Sequence, residues 1–163
     1  MNVNEIFLAE FKEEMATTRK FFAAVSDDLF EFTPHEKSKK LGELINHMIL
    51  IPSWVGVIAQ NTELDWSKVP TPETLTSKEA ILKQFDANVI IGAKAFEETN
   101  NDQLMENWTM KNSDAGKVFF SGKKITAVRR YVLNHRAQLG VYLRLNNIAV
   151  PGSYVASADD TLF

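Results

Sequence analysis

The chain of 163 residues has no cysteine, so it has no disulfide framework, no thiolate metal site and no cysteine nucleophile. Any thiol chemistry needs a thiol supplied from outside. Histidine is nearly as scarce, with three in the chain, and a metal site of nitrogen ligands must draw on these few. Proline and glycine are sparse at five and seven, too few for a collagen-like or low-complexity chain. No internal repeat stands out. The longest apolar run, "MILIPSWVGVIA", falls short of the roughly 20 residues of a bilayer span and is interrupted by Pro52 and Ser53. The leading "MNVNEIFLAEFKEE" has early carboxylates and no basic region before an apolar one, unlike a secretory signal. A cytoplasmic protein without membrane attachment is the expectation.

Carboxylates are also missing from one region. Between Asp114 and Asp159 there is none, while Lys117, Lys123, Lys124, Arg129, Arg130, Arg136 and Arg144 are all basic. A basic segment can mark nucleic acid or an anionic substrate. This one lacks interleaved aromatic or glycine-rich recognition features, and the whole chain carries −3. A basic helix lying beside acidic neighbours in one fold is the better account, and nucleic-acid binding is not expected.

What is present is ordinary globular composition, 45% apolar and 24% charged, enough for one domain over residues 1–163 with its own core. Four long segments show helical periodicity. The first runs from about Asn4 to Val25 through Leu8, Phe11, Met15, Phe22 and Val25. The second runs from near Lys39 to Gln60, with a seam of Leu44, His47, Ile51, Trp54 and Ile58, and Pro52 is expected to bend it by removing the bond to the Met48 carbonyl. The third opens with a capping box, Thr76 to Glu79, and continues to about Glu98 through Leu82, Phe85, Val89 and Phe96. The fourth spans about Lys123 to Asn146 along Ile125, Val128, Val132, His135, Leu139 and Tyr142. "NTELDWSKVPTPETL" is a long connection for antiparallel neighbours, so the second and third helices are expected to be parallel. "ENWTMKNSDAGKVFFSG" reads as a short β-hairpin turning at Asn112 to Gly116. The irregular tail "VPGSYVASADD" closes one end of the bundle or meets a second subunit.

The histidines carry the chemical question. His35 follows Pro34 in a polar turn and reads as a solvated loop residue. His47 and His135 each occupy a helix seam, where an imidazole must find a partner. A lone seam histidine is more often a satisfied core residue than a ligand. Two of three facing one interior make a shared site plausible, and two neutral imidazoles suit a divalent ion such as zinc or nickel. A catalytic zinc site ordinarily has three protein ligands and an open position. Of the tryptophans, Trp54 reads as core, and Trp66 and Trp108 as anchors of the long connections.

"SKKLGELINHMI" and "VLNHRAQLGVYLRLNNIAVPGSY" resemble the DinB-like superfamily, whose relatives include bacillithiol S-transferase-like proteins. The resemblance covers nearly the whole chain, and its most specific part is His135-Arg136-Ala137-Gln138 followed by Tyr142-Leu143-Arg144. It implies an all-α four-helix bundle with up-down-down-up connection, often a homodimer. It also implies a metal held by one histidine on the second helix and two on the fourth at i and i+4. The second-helix ligand falls on His47 and the later fourth-helix ligand on His135. The earlier one falls on position 131, which is Tyr131. A neutral phenol is a much poorer ligand than imidazole, although a metal can draw in its phenolate. As i and i+4, Tyr131 and His135 share a helix face. Asn134 and Gln138 are candidate supporting amides, Tyr131 and Gln138 the candidates for a catalytic part, and Glu43 is a weak candidate because first-turn glutamates commonly serve the helix dipole.

Two classes of function stay open. One is a metal-dependent enzyme, a hydrolase or a thiol S-transferase, acting on a small molecule, with a low-molecular-weight thiol as co-substrate in the second case. The other is a non-catalytic binding or structural bundle whose metal site has degraded at Tyr131.

Overall fold

The computed structural model describes residues 3–161, and the side chains of all of these except 131–134. The chain forms α1 (Val3–Ala24), α2 (Leu41–Met48), α3 (Ile51–Gln60), β1 (Glu63–Asp65), α4 (Lys78–Glu98), α5 (Asn101–Leu104), β2 (Asn107–Asn112), β3 (Lys117–Lys123) and α6 (Lys124–Leu145). It is mostly helical with a small sheet, in which the expected hairpin before the last helix is joined by a third strand, in the order β1-β2-β3.

The helices pack as amphipathic faces on a common core. Phe11, Met15, Phe21 and Phe22 of α1 meet Ile81, Phe85 and Phe96 of α4 and Leu139 and Leu143 of α6, with Phe22 edge-on to Phe85 at 4.9 Å. Burial of such side chains contributes about 1.5–3 kcal/mol each. The buried face of α6 differs from the expected seam. It runs through Ala127, Val128, Arg136, Leu139, Tyr142 and Leu143, which leaves Ile125 and His135 half-buried at its edge. Val132 lies outside the described side chains.

The second expected helix is two helices. Pro52 does not merely bend it; it stands in the first turn of α3, where the missing N–H has no partner to lose. The chain tightens at the break, with Leu50 N donating to His47 O at 3.3 Å and Ser53 N to Leu50 O at 3.2 Å. That register leaves the Ile49 carbonyl without its helical donor. Asn88 of α4, 4% exposed, donates to it through Nδ2 at 2.6 Å. Gly92, one turn further along α4, lets the two helices approach: a Cβ there would sit 2.4 Å from the Pro52 carbonyl oxygen. Taken together, Leu41–Gln60 has the length and mean hydropathy (1.4) of a membrane-crossing segment, but 61% of it is buried within the fold, as in a core segment.

The N-cap of α4 is Ser77, whose hydroxyl accepts from Ala80 N at 3.3 Å, one residue later than the expected capping box. The hairpin forms as expected, with Gly116 at φ 61° in its turn and a bulge opposite Met110 and Lys111. The long connection supplies an unanticipated strand: β1 pairs parallel with β2, Glu63 to Asp65 against Thr109 to Lys111. Asp65 secures it, accepting from Ser113 N at 3.1 Å, from the Ser113 hydroxyl and from Ser67 N and Oγ at 3.1 and 2.8 Å. The Ser113 bonds, before any other cause, hold its carboxyl well below the usual range. Trp108 of β2 is 1% exposed and fastens the hairpin to the core.

Several termini are tied across the fold. Asn4 Nδ2 at the start of α1 donates to the Phe96 carbonyl and, at 2.6 Å, to the Thr99 carbonyl at the end of α4. Lys124 Nζ at the start of α6 donates to Ala59 O at the end of α3 at 2.9 Å and pairs with Glu106 at 2.7 Å. The basic segment is thus partly matched within the fold, as Arg136 pairs with Glu14 and Arg144 with Asp159.

Candidate functional site

α2 presents His47 in its last turn, just before the break, and α6 presents His135 from its middle. The imidazoles meet edge to face, with centroids 4.8 Å apart at 80° and Nε2 atoms 3.2 Å apart. Two ligand nitrogens at about 2.0–2.1 Å from a tetrahedral zinc are themselves about 3.3 Å apart. The pair therefore has the bite of two ligands to one ion.

Burial chiefly, then the neighbouring His135 and the charge of Lys39, push the His47 imidazole from its ordinary value down to about 4. It is neutral at neutral pH, with a nitrogen lone pair on its ring. On the far side of the other ring, His135 Nδ1 lies 2.9 Å from Gln138 Oε1, the hydrogen-bond geometry of an amide that orients an imidazole.

An aromatic wall completes the described surroundings. Trp54 of α3 stands edge-on to His47 at 5.7 Å, and Trp66 stands against Trp54 at 5.3 Å. The indole N–H of Trp66 points to Met110 Sδ at 3.0 Å. Trp54, expected as core, is partly buried against it and also faces His47, seven residues earlier on the same seam. Asn46, missed in the sequence, fixes the connection against α2: its Nδ2 donates to Leu75 O and its Oδ1 accepts from Leu75 N, both at 2.8 Å. A polar residue beside a seam histidine was its only signal.

The other expected residues distribute plainly. Glu43 is no part of the pair; its carboxylate accepts from Lys40 N at 3.1 Å and caps α2. His35 is exposed, and its Nδ1 accepts from Lys37 N at 3.1 Å. Tyr131 and Asn134 lie outside the described side chains. Among the described residues no cluster of three histidine, cysteine or carboxylate ligands occurs. A small cavity beside His135, about 10 Å³, is lined by Met15, Thr18, Met48, Ile51, Pro52, Phe85 and Arg136, room for no more than a water.

Solved structures share this fold. A DinB-like protein from Bacillus cereus ATCC 10987 superposes with a TM-score of 0.68 at 20% identity, over 92% of this chain and 97% of its own. The DinB-like protein YjoA of Bacillus subtilis gives 0.65 at 15% identity, over 94% and 97%. No curated protein matches the sequence. Residues 1–161 match the sequence model of the DinB family, and the chain belongs to that family.

Proposed function

We propose that His47 and His135 are the protein's nitrogen ligands to a divalent ion, zinc or nickel, and that the protein is a metal-dependent enzyme of the DinB-like kind. The observation that carries this is the 3.2 Å separation of the two Nε2 atoms, a ligand bite between two imidazoles. When bound, such an ion supplies Lewis acidity and lowers the pKa of a coordinated water or thiol. The chain's own residues do the rest. His47 and His135 hold the position, Gln138 braces His135, and the Trp54–Trp66 wall limits water on one side. Tyr131 takes the helix position of the third imidazole, so the reading includes a variant donor set. The reaction class is hydrolysis or thiol S-transfer on a small molecule. The chain has no thiol of its own, so a transferase would draw on a low-molecular-weight external one.

The up-down-down-up order belongs to the same reading. Asn4 ties the start of α1 to the end of α4, Lys124 ties the start of α6 to the end of α3, and the chain leaves α3 and α4 for parallel neighbouring strands. These ties support parallel α3 and α4 flanked by two helices of the opposite sense. A homodimer in the cytoplasm is the accompanying expectation.

A second reading has its own observation. The described ligand set stops at two, and each imidazole already satisfies the other, as in a binding bundle whose metal site has degraded. Elemental analysis of untagged protein, with zinc and nickel titrations of wild type, His47→Ala and His135→Ala, separates the two. Near-stoichiometric metal lost in both variants supports the enzyme. A wild type that stays metal-free in excess zinc and nickel makes the degraded bundle the answer.

A further inference from the structure

The two facing Nε2 atoms cannot both carry hydrogen, because two N–H groups at 3.2 Å would point their protons at each other. Which ring holds the proton is settled at the other end of His135. Gln138 sits one turn along α6 with an exposed side chain, and its Oε1 is 2.9 Å from His135 Nδ1. An amide oxygen only accepts, so Nδ1 is the donor and carries the proton.

We infer that Gln138 is the positioning residue of the pair: by holding the Nδ1 proton it fixes His135 with an Nε2 lone pair facing His47, and so places the shared proton on His47 Nε2. His135 is then ready to donate to an ion as it stands. His47 reaches the same state only by carrying its proton on Nδ1 instead. The two ligands are chemically unequal although their distances look symmetric, and the inequality originates in a residue that touches neither the ion's position nor His47. A purely structural glutamine on a helix surface would leave the tautomers untouched.

The tautomer assignment concerns the metal-free protein and stands or falls without any metal; only the affinity arm below rests on the proposed function. Long-range proton–nitrogen correlation spectra of histidine-labelled, metal-free protein near neutral pH read each ring directly. The expected wild-type pattern is Nδ1–H for His135 and Nε2–H for His47. In Gln138→Leu, His135 loses its Nδ1–H preference, and in Gln138→Glu, which keeps an acceptor at the same reach, it retains it. An Nε2–H or doubly protonated His135 in wild type overturns the inference, and so does a tautomer unchanged in Gln138→Leu. In the second arm, zinc affinity falls about 10–100-fold in Gln138→Leu, the range for loss of a partner behind a ligand histidine, and recovers in Gln138→Glu. Equal affinity in all three proteins overturns the positioning role. A wild type that takes up no zinc counts against the proposed function, and the spectra then decide this inference alone.

Discussion

His135 and Arg136 are neighbours on α6, yet the fold treats them in opposite ways. Arg136 turns into the core, 6% exposed, and its Nη1 reaches Glu14 Oε2 at 2.5 Å, the Glu14 carbonyl at 3.2 Å and Thr18 Oγ1 at 3.4 Å on α1. Tyr154 from the tail lies over the guanidinium at 5.1 Å. Here opposite charges and several acceptors consume the buried polar groups, which is what a structural ion pair requires. His135 turns to the edge of the same core and meets another imidazole, with one proton between two nitrogens. The ion pair ties α6 to α1. The histidine pair is built on nitrogen lone pairs instead of opposite charges, and the proposed function rests on that difference.

The comparison breaks most visibly at Arg136. Arg136→Met leaves the Glu14 carboxylate buried beside Thr18 with no counter-charge, and such a loss costs about 3–5 kcal/mol. Adding Glu14→Met removes the orphaned charge and recovers most of it. Chemical denaturation of the single and double variants reads both. A single variant as stable as wild type would mean that the pair is not desolvated and that the contrast with His135 is false.

The histidine side carries a pH signature of its own. The folded His47 titrates at about 4 against an ordinary 6.5, so the unfolded chain takes up its proton first as pH falls. The stability due to neutral His47 is whole above about pH 6.5 and declines as pH drops toward 4. Below that both states are protonated and the decline stops. With solvent screening of a partly exposed ring, a shift of this size corresponds to less than about 3 kcal/mol. Denaturation midpoints measured across that window should fall in wild type and flatten in His47→Gln. Ligand binding works on the same pair from the other direction: zinc at about 100 times its dissociation constant stabilises the fold by about 2.7 kcal/mol, seen as a thermal shift that His135→Ala abolishes.

The fold was legible where periodicity was strong and illegible where single polar residues decide. The four helical stretches and the hairpin follow from apolar spacing and turn residues. The break after Met48 does not, because Pro52 alone reads as a kink. What turns a kink into a break is Asn88, a polar residue on the inner face of α4 that receives the Ile49 carbonyl. β1 was invisible for a related reason: three residues have no period, and its inward side chain is Asp65, held by serines instead of apolar packing. At the site, seam position brought out His47 and His135, since an imidazole among apolar neighbours needs a partner. Spacing along one helix cannot supply the distance to another, and the 3.2 Å bite appears only when α2 and α6 are packed.

The smallest effect sharpens the boundary of the site. Glu43 lies one turn before His47 and is the nearest carboxylate in sequence, which made it a candidate base or ligand. Its carboxylate instead accepts from Lys40 N at 3.1 Å, one of the donors a helix start leaves unmatched. If capping is its whole role, Glu43→Ala costs about 0.5–1.5 kcal/mol, the net worth of one such hydrogen bond, and zinc uptake is unchanged. A ligand or a base close to the ion would behave differently, because removing a negative charge beside a divalent cation weakens binding far more than it weakens a helix end. Parallel denaturation and zinc titration of Glu43→Ala therefore place this residue on one side of the comparison: a small stability loss with intact zinc binding puts it with Arg136 as part of the scaffold, and lost zinc binding with an intact fold puts it with His135.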